Sequence, residues 1–187
     1  LVERVDVSHF RLSIHLIIAF LIISLILWSY FNLKFKNNFD YNLKYTLPLI
    51  FLILIYLQII IGAFVSGMDA GQIYNSWPLM GSNYFPDDNN YINLFKLSAF
   101  SDPSLVQFIH RNLAYLILIF YLILLFKIYS NKLVNLYLII NLLGILLLTQ
   151  IILGIFTLLY GAQIIIASMH QISSIFLVSF SVYFLYL

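Results

Sequence analysis

The sequence predicts an all-α polytopic membrane protein with about five transmembrane helices. Three observations predict this class. Hydrophobic residues make up 63% of the 187-residue chain. Charged residues make up 9%, against roughly a quarter in soluble domains, so a water-facing surface could not be covered. Five stretches, approximately 10–31, 47–66, 104–126, 133–160 and 163–187, are apolar and reach the roughly 20 residues that cross a hydrocarbon layer.

Other classes are excluded on the same grounds. A net charge of +2 is too small to imply a nucleic-acid partner. The chain has no cysteine, which excludes disulfides, thiolate metal sites and covalent cofactor attachment through CxxCH. The segment up to Arg11 is charged and lacks the pattern of a cleavable signal. The chain starts on Leu1 rather than Met and ends on Tyr186-Leu187 inside an apolar run; the start reads as a truncation.

The first span is followed by a connection, about 32–46, that carries Lys34, Lys36 and Lys44 against Asp40. The connection after the third span, 127–132, carries Lys127 and Lys132. The opposite side holds Glu3, Asp6, Asp69, Asp87, Asp88 and Asp102. Short Lys-bearing loops stay in the cytoplasm, so the long loop 67–103 is expected outside. The third span has a clear start, because Asp102 can cap a helix whose first position is Pro103. The connections at 127–132 and at Gly161-Ala162-Gln163 are short. They make the third span a neighbour of the fourth, and the fourth a neighbour of the fifth.

Three of the four histidines lie inside spans that run inward from the loop side. His15, His110 and His170 each sit six or seven residues past the span entry, roughly 9–11 Å deep at the helical rise. A lone intramembrane His often hydrogen-bonds to a neighbouring helix. Two imidazoles facing each other across a bundle suit an iron porphyrin, which takes one nitrogen on each face. Zinc or copper fits less well, since no Cys or acid sits at that depth. His9 lies at the entry and reads as interfacial.

Arg111 follows His110, and Arg11 lies one turn before His15 on the same helical face. Both are near the surface where propionates would sit, and Arg pairs bidentately with carboxylates; ordinary snorkelling is the alternative. Gln107, one turn before His110, is placed to orient a ligand or to bond to another helix. Tyr74, Trp77, Tyr84, Phe85 and Tyr91 in the loop either cap the pocket or form an interfacial aromatic belt.

An internal repeat joins the second and fourth spans: Gln58-x3-Gly62-x-Phe64 recurs as Gln150-x3-Gly154-x-Phe156. Small residues let helices, or a flat macrocycle, approach closely. On this reading residues 46–187 form a four-helix bundle with its extracytoplasmic loop at 67–103. Residues 1–45 are the last helix of an incomplete preceding half-bundle and its cytoplasmic loop.

These motifs together resemble heme A synthases of the bacterial and mitochondrial type, over the C-terminal portion of such enzymes. The most specific run is Gly67-Met68-Asp69-Ala70-Gly71, followed by Tyr74-Asn75 and Trp77-Pro78-Leu79-Met80. Val106-Gln107-Phe108-Ile109-His110-Arg111, Leu113-Ala114-Tyr115, Gln150-x3-Gly154-x-x-Thr157-Leu158, Met169-His170-Gln171 and Arg11-Leu12-x2-His15-Leu16 complete the likeness. The resemblance implies oxidation of a methyl group of heme O to the formyl group of heme A, for cytochrome oxidase biogenesis. It implies a heme b on His110 and His170; Gln107, Arg111 and Arg11 are read from their positions as further cofactor contacts. It places His15 on the substrate-heme side as a catalytic candidate. It also implies a bacterial plasma membrane or mitochondrial inner membrane, with membrane lipid, heme O synthase, an electron donor and a second copy as candidate partners. Two rivals stand beside it: a bis-histidine membrane b-type cytochrome that only passes electrons, and a transporter or structural bundle in which the histidines merely pack.

Overall fold

A computed structural model describes residues 8–35, 43 and 45–187. The expectations placed on Glu3, Asp6, Lys36, Asp40 and Lys44 lie outside the described residues. Five long helices follow one another: α1 (His9–Lys34), α2 (Thr46–Gly67), α3 (Pro103–Ser130), α4 (Tyr137–Leu159) and α5 (Ile164–Tyr186). Short 3-10 turns interrupt the α2–α3 connection and precede α4, and there is no strand among the described residues. All five helices are long and apolar enough to cross a membrane, as the five apolar stretches predict.

Local signals set the helix ends. Ser8 caps α1, its Oγ accepting the Arg11 N–H at 3.4 Å. Asp102 caps α3 by accepting the Leu105 N–H at 3.0 Å, with Pro103 at the first position. That position has no use for the N–H that proline lacks. α4 ends where Gly161 and Ala162 turn to positive φ, +63° and +56°, and the Ala162 N–H closes onto the Thr157 carbonyl. This left-handed ending reverses the chain directly into α5.

The helices α2, α3, α4 and α5 form a ring in chain order, closed by contact between α5 and α2. α3 and α5 therefore occupy one diagonal, and α2 and α4 the other. α1 lies outside the ring against α2 and α5. The Tyr56 hydroxyl ties it to α2 by donating to the Phe20 carbonyl at 3.1 Å while sharing a 2.6 Å bond with Ser24. The Tyr186 hydroxyl ties it to α5 by donating to the Phe31 carbonyl. At the other end His9 lies so close to Gly67 that a Cβ there would stand 2.8 Å from the His9 Cα.

The bundle is packed unevenly along its length. The main apolar core, including Phe51, Ile55, Leu124, Ile140, Leu143 and Val178, sits at the end that carries Lys127 and Lys132. There Tyr121 joins α3 to α4 by donating to the Ile140 carbonyl at 3.1 Å. Toward the loop end, α4 buries nothing beyond Gln150 and α5 nothing before Leu177. The histidines lie in this second half.

Candidate functional site

The internal repeat has a structural meaning. Gln58 of α2 donates its amide to the main-chain carbonyl of His110 on α3 at 3.1 Å. Gln150 of α4 donates to the carbonyl of His170 on α5, also at 3.1 Å. One turn further along each donor helix is a glycine. A Cβ on Gly62 would stand 3.1 Å from the His110 Cε1, and a Cβ on Gly154 would stand 3.3 Å from the His170 Cε1. Both distances are tighter than ordinary carbon contact. Each Gln-x3-Gly therefore builds a seat for one imidazole: the amide fixes the backbone, and the bare Cα makes room for the ring.

The seats lie on opposite sides of the ring of helices, and the two imidazoles belong to the diagonal pair α3 and α5. In each ring Nδ1 is buried without a hydrogen-bond partner. An unsatisfied buried polar atom is costly, and metal ligation is one way in which imidazole nitrogens are satisfied. No group of three or more His, Cys, Asp or Glu side chains is placed to hold a bare metal ion among the described residues. Two imidazoles on diagonal helices, each seated against a glycine, match a planar iron macrocycle, which takes one nitrogen on each face, better than a four-coordinate metal.

The other sequence candidates are placed differently. Arg111 is engaged by the protein's own backbone. Its Nη1 donates to the carbonyls of Ser76 at 3.0 Å and Leu79 at 3.2 Å, and its Nη2 donates to that of Tyr74 at 2.9 Å. Only its Nε is buried and unpaired. Gln107 is buried and also donates to the Tyr74 carbonyl, at 3.1 Å, rather than to a histidine. The reason is the same for both. The segment after α2 folds back along α3, and its backbone oxygens take these donors. The contacts continue one turn on, where the Trp77 indole donates to the Tyr115 hydroxyl at 2.9 Å. Gln107, Arg111 and Tyr115 are spaced by four residues and share one face of α3.

Arg11 and His15 are both exposed on α1, so the structure does not bring them to the His110–His170 pair. Of the loop aromatics, Phe85 is buried, stacks on Tyr91 at 4.0 Å and meets Phe108 edge-on at 5.0 Å. Tyr84 donates to Asn112, while Trp77 is 45% exposed. These rings fasten the loop to α3. Asp87 organises the loop's tip by accepting the Ser82 N–H at 2.8 Å and the Asn83 amide at 2.7 Å. The backbone N–H of Ser82, with help from Asn83, holds its carboxyl below the ordinary range.

Sequence reasoning noted Gln58 and Gln150 only as a repeated pattern. Their position four residues before a glycine, on helices facing a histidine-bearing helix, was the signal for their part in the site.

Fold and site define a multi-pass helical membrane protein with a histidine seat repeated on two hairpins. The family described as "Cytochrome oxidase assembly protein" (COX15-CtaA) matches residues 1–182, and the chain belongs to that family. It is 45% identical to the heme A synthase of Pelagibacter ubique over 183 residues, 96% of this chain and 53% of that protein. It is 42% identical to the heme A synthase of Wolbachia pipientis wMel over 190 residues, 99% and 52%. It is 44% identical to that of Rickettsia felis over 191 residues, 96% and 54%. The chain thus spans about half the length of the curated relatives it matches. No solved structure matches it.

Proposed function

We propose that this chain supplies the prosthetic-heme half of a heme A synthase, the enzyme that oxidises a methyl group of heme O to the formyl group of heme A for cytochrome oxidase biogenesis. The observation that carries this reading is the pair of Gln-x3-Gly seats, which present His110 and His170 from diagonal helices. In it the four helices α2–α5 form one functional unit, residues 46–187 with the loop 67–103 outside. α1, in residues 1–45, is the last helix of a second, incomplete half-bundle.

His110 and His170 would hold a heme b, with their backbones fixed by Gln58 and Gln150. Bound there, the heme supplies one-electron redox chemistry. The protein would seat the two imidazoles, keep the site within an apolar shell, and leave the buried Arg111 Nε, on the residue after His110, as an unpaired donor. Gln107 belongs to the supporting loop contacts. His15, with Arg11 one turn away, faces outward from α1 and serves the substrate-heme side. The bacterial relatives favour a plasma-membrane location, with the loop extracytoplasmic and the Lys-bearing connections cytoplasmic. Heme O synthase as supplier of heme O, an electron donor and a second copy of the chain are the proposed partners.

The test is to give the full-length protein heme O and a reductant in membranes and to look for heme A by mass. Heme A is the expected product. A heme-loaded protein that yields none is instead a bis-histidine electron carrier. A protein that binds no heme refutes both readings.

A further inference from the structure

We propose that the seam between α3 and α4 is the portal through which a porphyrin reaches the histidine pair, and that residues 74–79 are its removable closure. The proposal rests on the heme-binding reading of His110 and His170.

The four seams of the ring are not closed alike. α2 with α3, α4 with α5, and α5 with α2 pack helix on helix. α3 and α4 are joined at the Lys end by Tyr121 on Ile140, by the Tyr121 hydroxyl packed over Gly144, and by the Tyr129–Asn141 hydrogen bonds. At the loop end the chain after α2 fills the seam instead. The turn Ala70–Gln72 touches α2, α3 and α4. The Asn75 amide donates to the Leu158 carbonyl of α4 at 2.7 Å. From the other side Gln107, Arg111 and Tyr115 of α3 hold Tyr74, Ser76, Leu79 and Trp77.

The segment reaches the level of the site. The Trp77 indole bonds the hydroxyl of Tyr115, a residue five positions past His110 on α3 whose side chain slants back toward the loop end. Non-helical backbone at membrane depth is tolerated where protein buries it or a polar cavity meets it. Here the α3 side chains satisfy the carbonyls.

The two edges of the closure are held unequally. On α3 there are five side-chain hydrogen bonds, three of them from the Arg111 guanidinium. On the other edge there is the Asn75 bond to α4 and, at the α4–α5 turn, the approach of Gly71 to Ala162, where a Cβ on Gly71 would stand 3.4 Å from the Ala162 Cβ. Trp77 and Leu79 are about half exposed and add little packing. Opening any other seam separates packed helices. Opening this one releases the α4 edge and leaves the segment hinged on α3, with Arg111 as the positioning residue of the hinge. The gap so made lies between the helix that carries His110 and the helix that carries Gly154, edge-on to a flat ligand entering between the rings.

The Gly71–Ala162 contact is close to the roughly 3.5–4.5 Å between Cβ atoms that a disulfide needs, and the chain has no cysteine of its own. The experiment uses the double variant Gly71→Cys with Ala162→Cys in full-length protein in nanodiscs, cross-linked with copper phenanthroline. Hemin uptake is followed by the Soret band, and release from pre-loaded protein by transfer to apomyoglobin. Cross-linking is expected to slow both by about tenfold or more, as for a locked lid, leaving the spectrum of loaded protein unchanged and the rates restored by reductant. Asn75→Ala, which cuts the α4 edge, is expected to speed both. Uptake and release at the parent rate with the disulfide closed overturn the portal while leaving the heme site standing. A parent protein that takes up no heme overturns both.

Discussion

Gln58 and Gln150 donate to the carbonyls of His110 and His170 at the same 3.1 Å, yet beyond that bond the two hairpins diverge. In α2–α3 the Gln58 amide nitrogen also lies 3.4 Å from the His110 Nε2. In α4–α5 the Gln150 amide turns instead to the Ser173 hydroxyl, 2.5 Å away; the matching place three residues after His110 is Leu113. Residue 111 is an arginine that grips the loop, while residue 171 is an exposed glutamine. The α2–α3 hairpin is joined by residues 68–102, and the α4–α5 hairpin by a tight turn. The difference separates what the seat requires from what varies around it. It requires one amide, one bare Cα and one helix-borne imidazole in register. The connection, the ring contact and the residue after the histidine are free to differ.

The largest effect tests whether the two histidines are equivalent as ligands. His110→Ala and His170→Ala are each expected to abolish the low-spin heme spectrum almost completely. A reduced low-spin signal that survives in both would remove the ligand assignment. Next come the amides. Gln58→Leu and Gln150→Leu are each expected to lower heme affinity on the order of tenfold or more, as for partners that orient a metal-binding histidine. Gln58→Leu should shift the electron paramagnetic resonance g-values further, because only Gln58 reaches the ring; equal shifts would erase the asymmetry. The glycines follow. Gly62→Ala gains about 1 kcal/mol of helix propensity but meets roughly 1–3 kcal/mol of overpacking against His110. Stability should therefore change little or fall slightly, with a spectral shift larger than that of Gly154→Ala. Thermal unfolding and the Soret position check both.

The smallest effect concerns the loop that only one hairpin has. Asp87 has a lowered pKa in the folded protein, so its contribution to loop stability is present above the ordinary carboxylate pKa. It fades as pH falls through the lower folded value. Asp87→Asn should abolish that acid dependence, read as hydrogen exchange at Ser82 between about pH 5 and the acid limit. Exchange that keeps the same pH profile in the variant would place the acid sensitivity elsewhere.

Much of this was legible in the sequence. The five spans appear within a few residues of their predicted limits, because twenty-residue apolar runs with few charges leave little else to form. The start of α3 was readable from Asp102 and Pro103, whose chemistry is local. The Gln-x3-Gly repeat was readable as a pattern, and the two hairpins place it alike, each glutamine on a histidine carbonyl and each glycine under that histidine's ring. The backbone partners of Arg111 and Gln107 were not legible, because the sequence shows who is adjacent, not who folds back. Their partners are backbone oxygens some thirty residues away, and a carbonyl carries no sequence signature. The four-residue spacing of Gln107, Arg111 and Tyr115 did mark a polar face on α3 that something had to satisfy. The packing of α3 against α4 was expected from the short connection 127–132. It holds at the Lys end, while the loop end is taken by residues that no periodicity places there.

The uneven burial along the bundle bears on biogenesis. The buried apolar core that α2, α3, α4 and α5 share lies at the end bearing Lys127 and Lys132, and Tyr121 stitches α3 to α4 within it. That half contains no histidine and needs none to close. A newly inserted chain can thus lock its helices into order from the Lys end, holding the histidine end in register like the jaws of a spring clip. On the proposed reading, delivery of heme to the histidine pair is then a late event in maturation, separate in time from insertion into the bilayer.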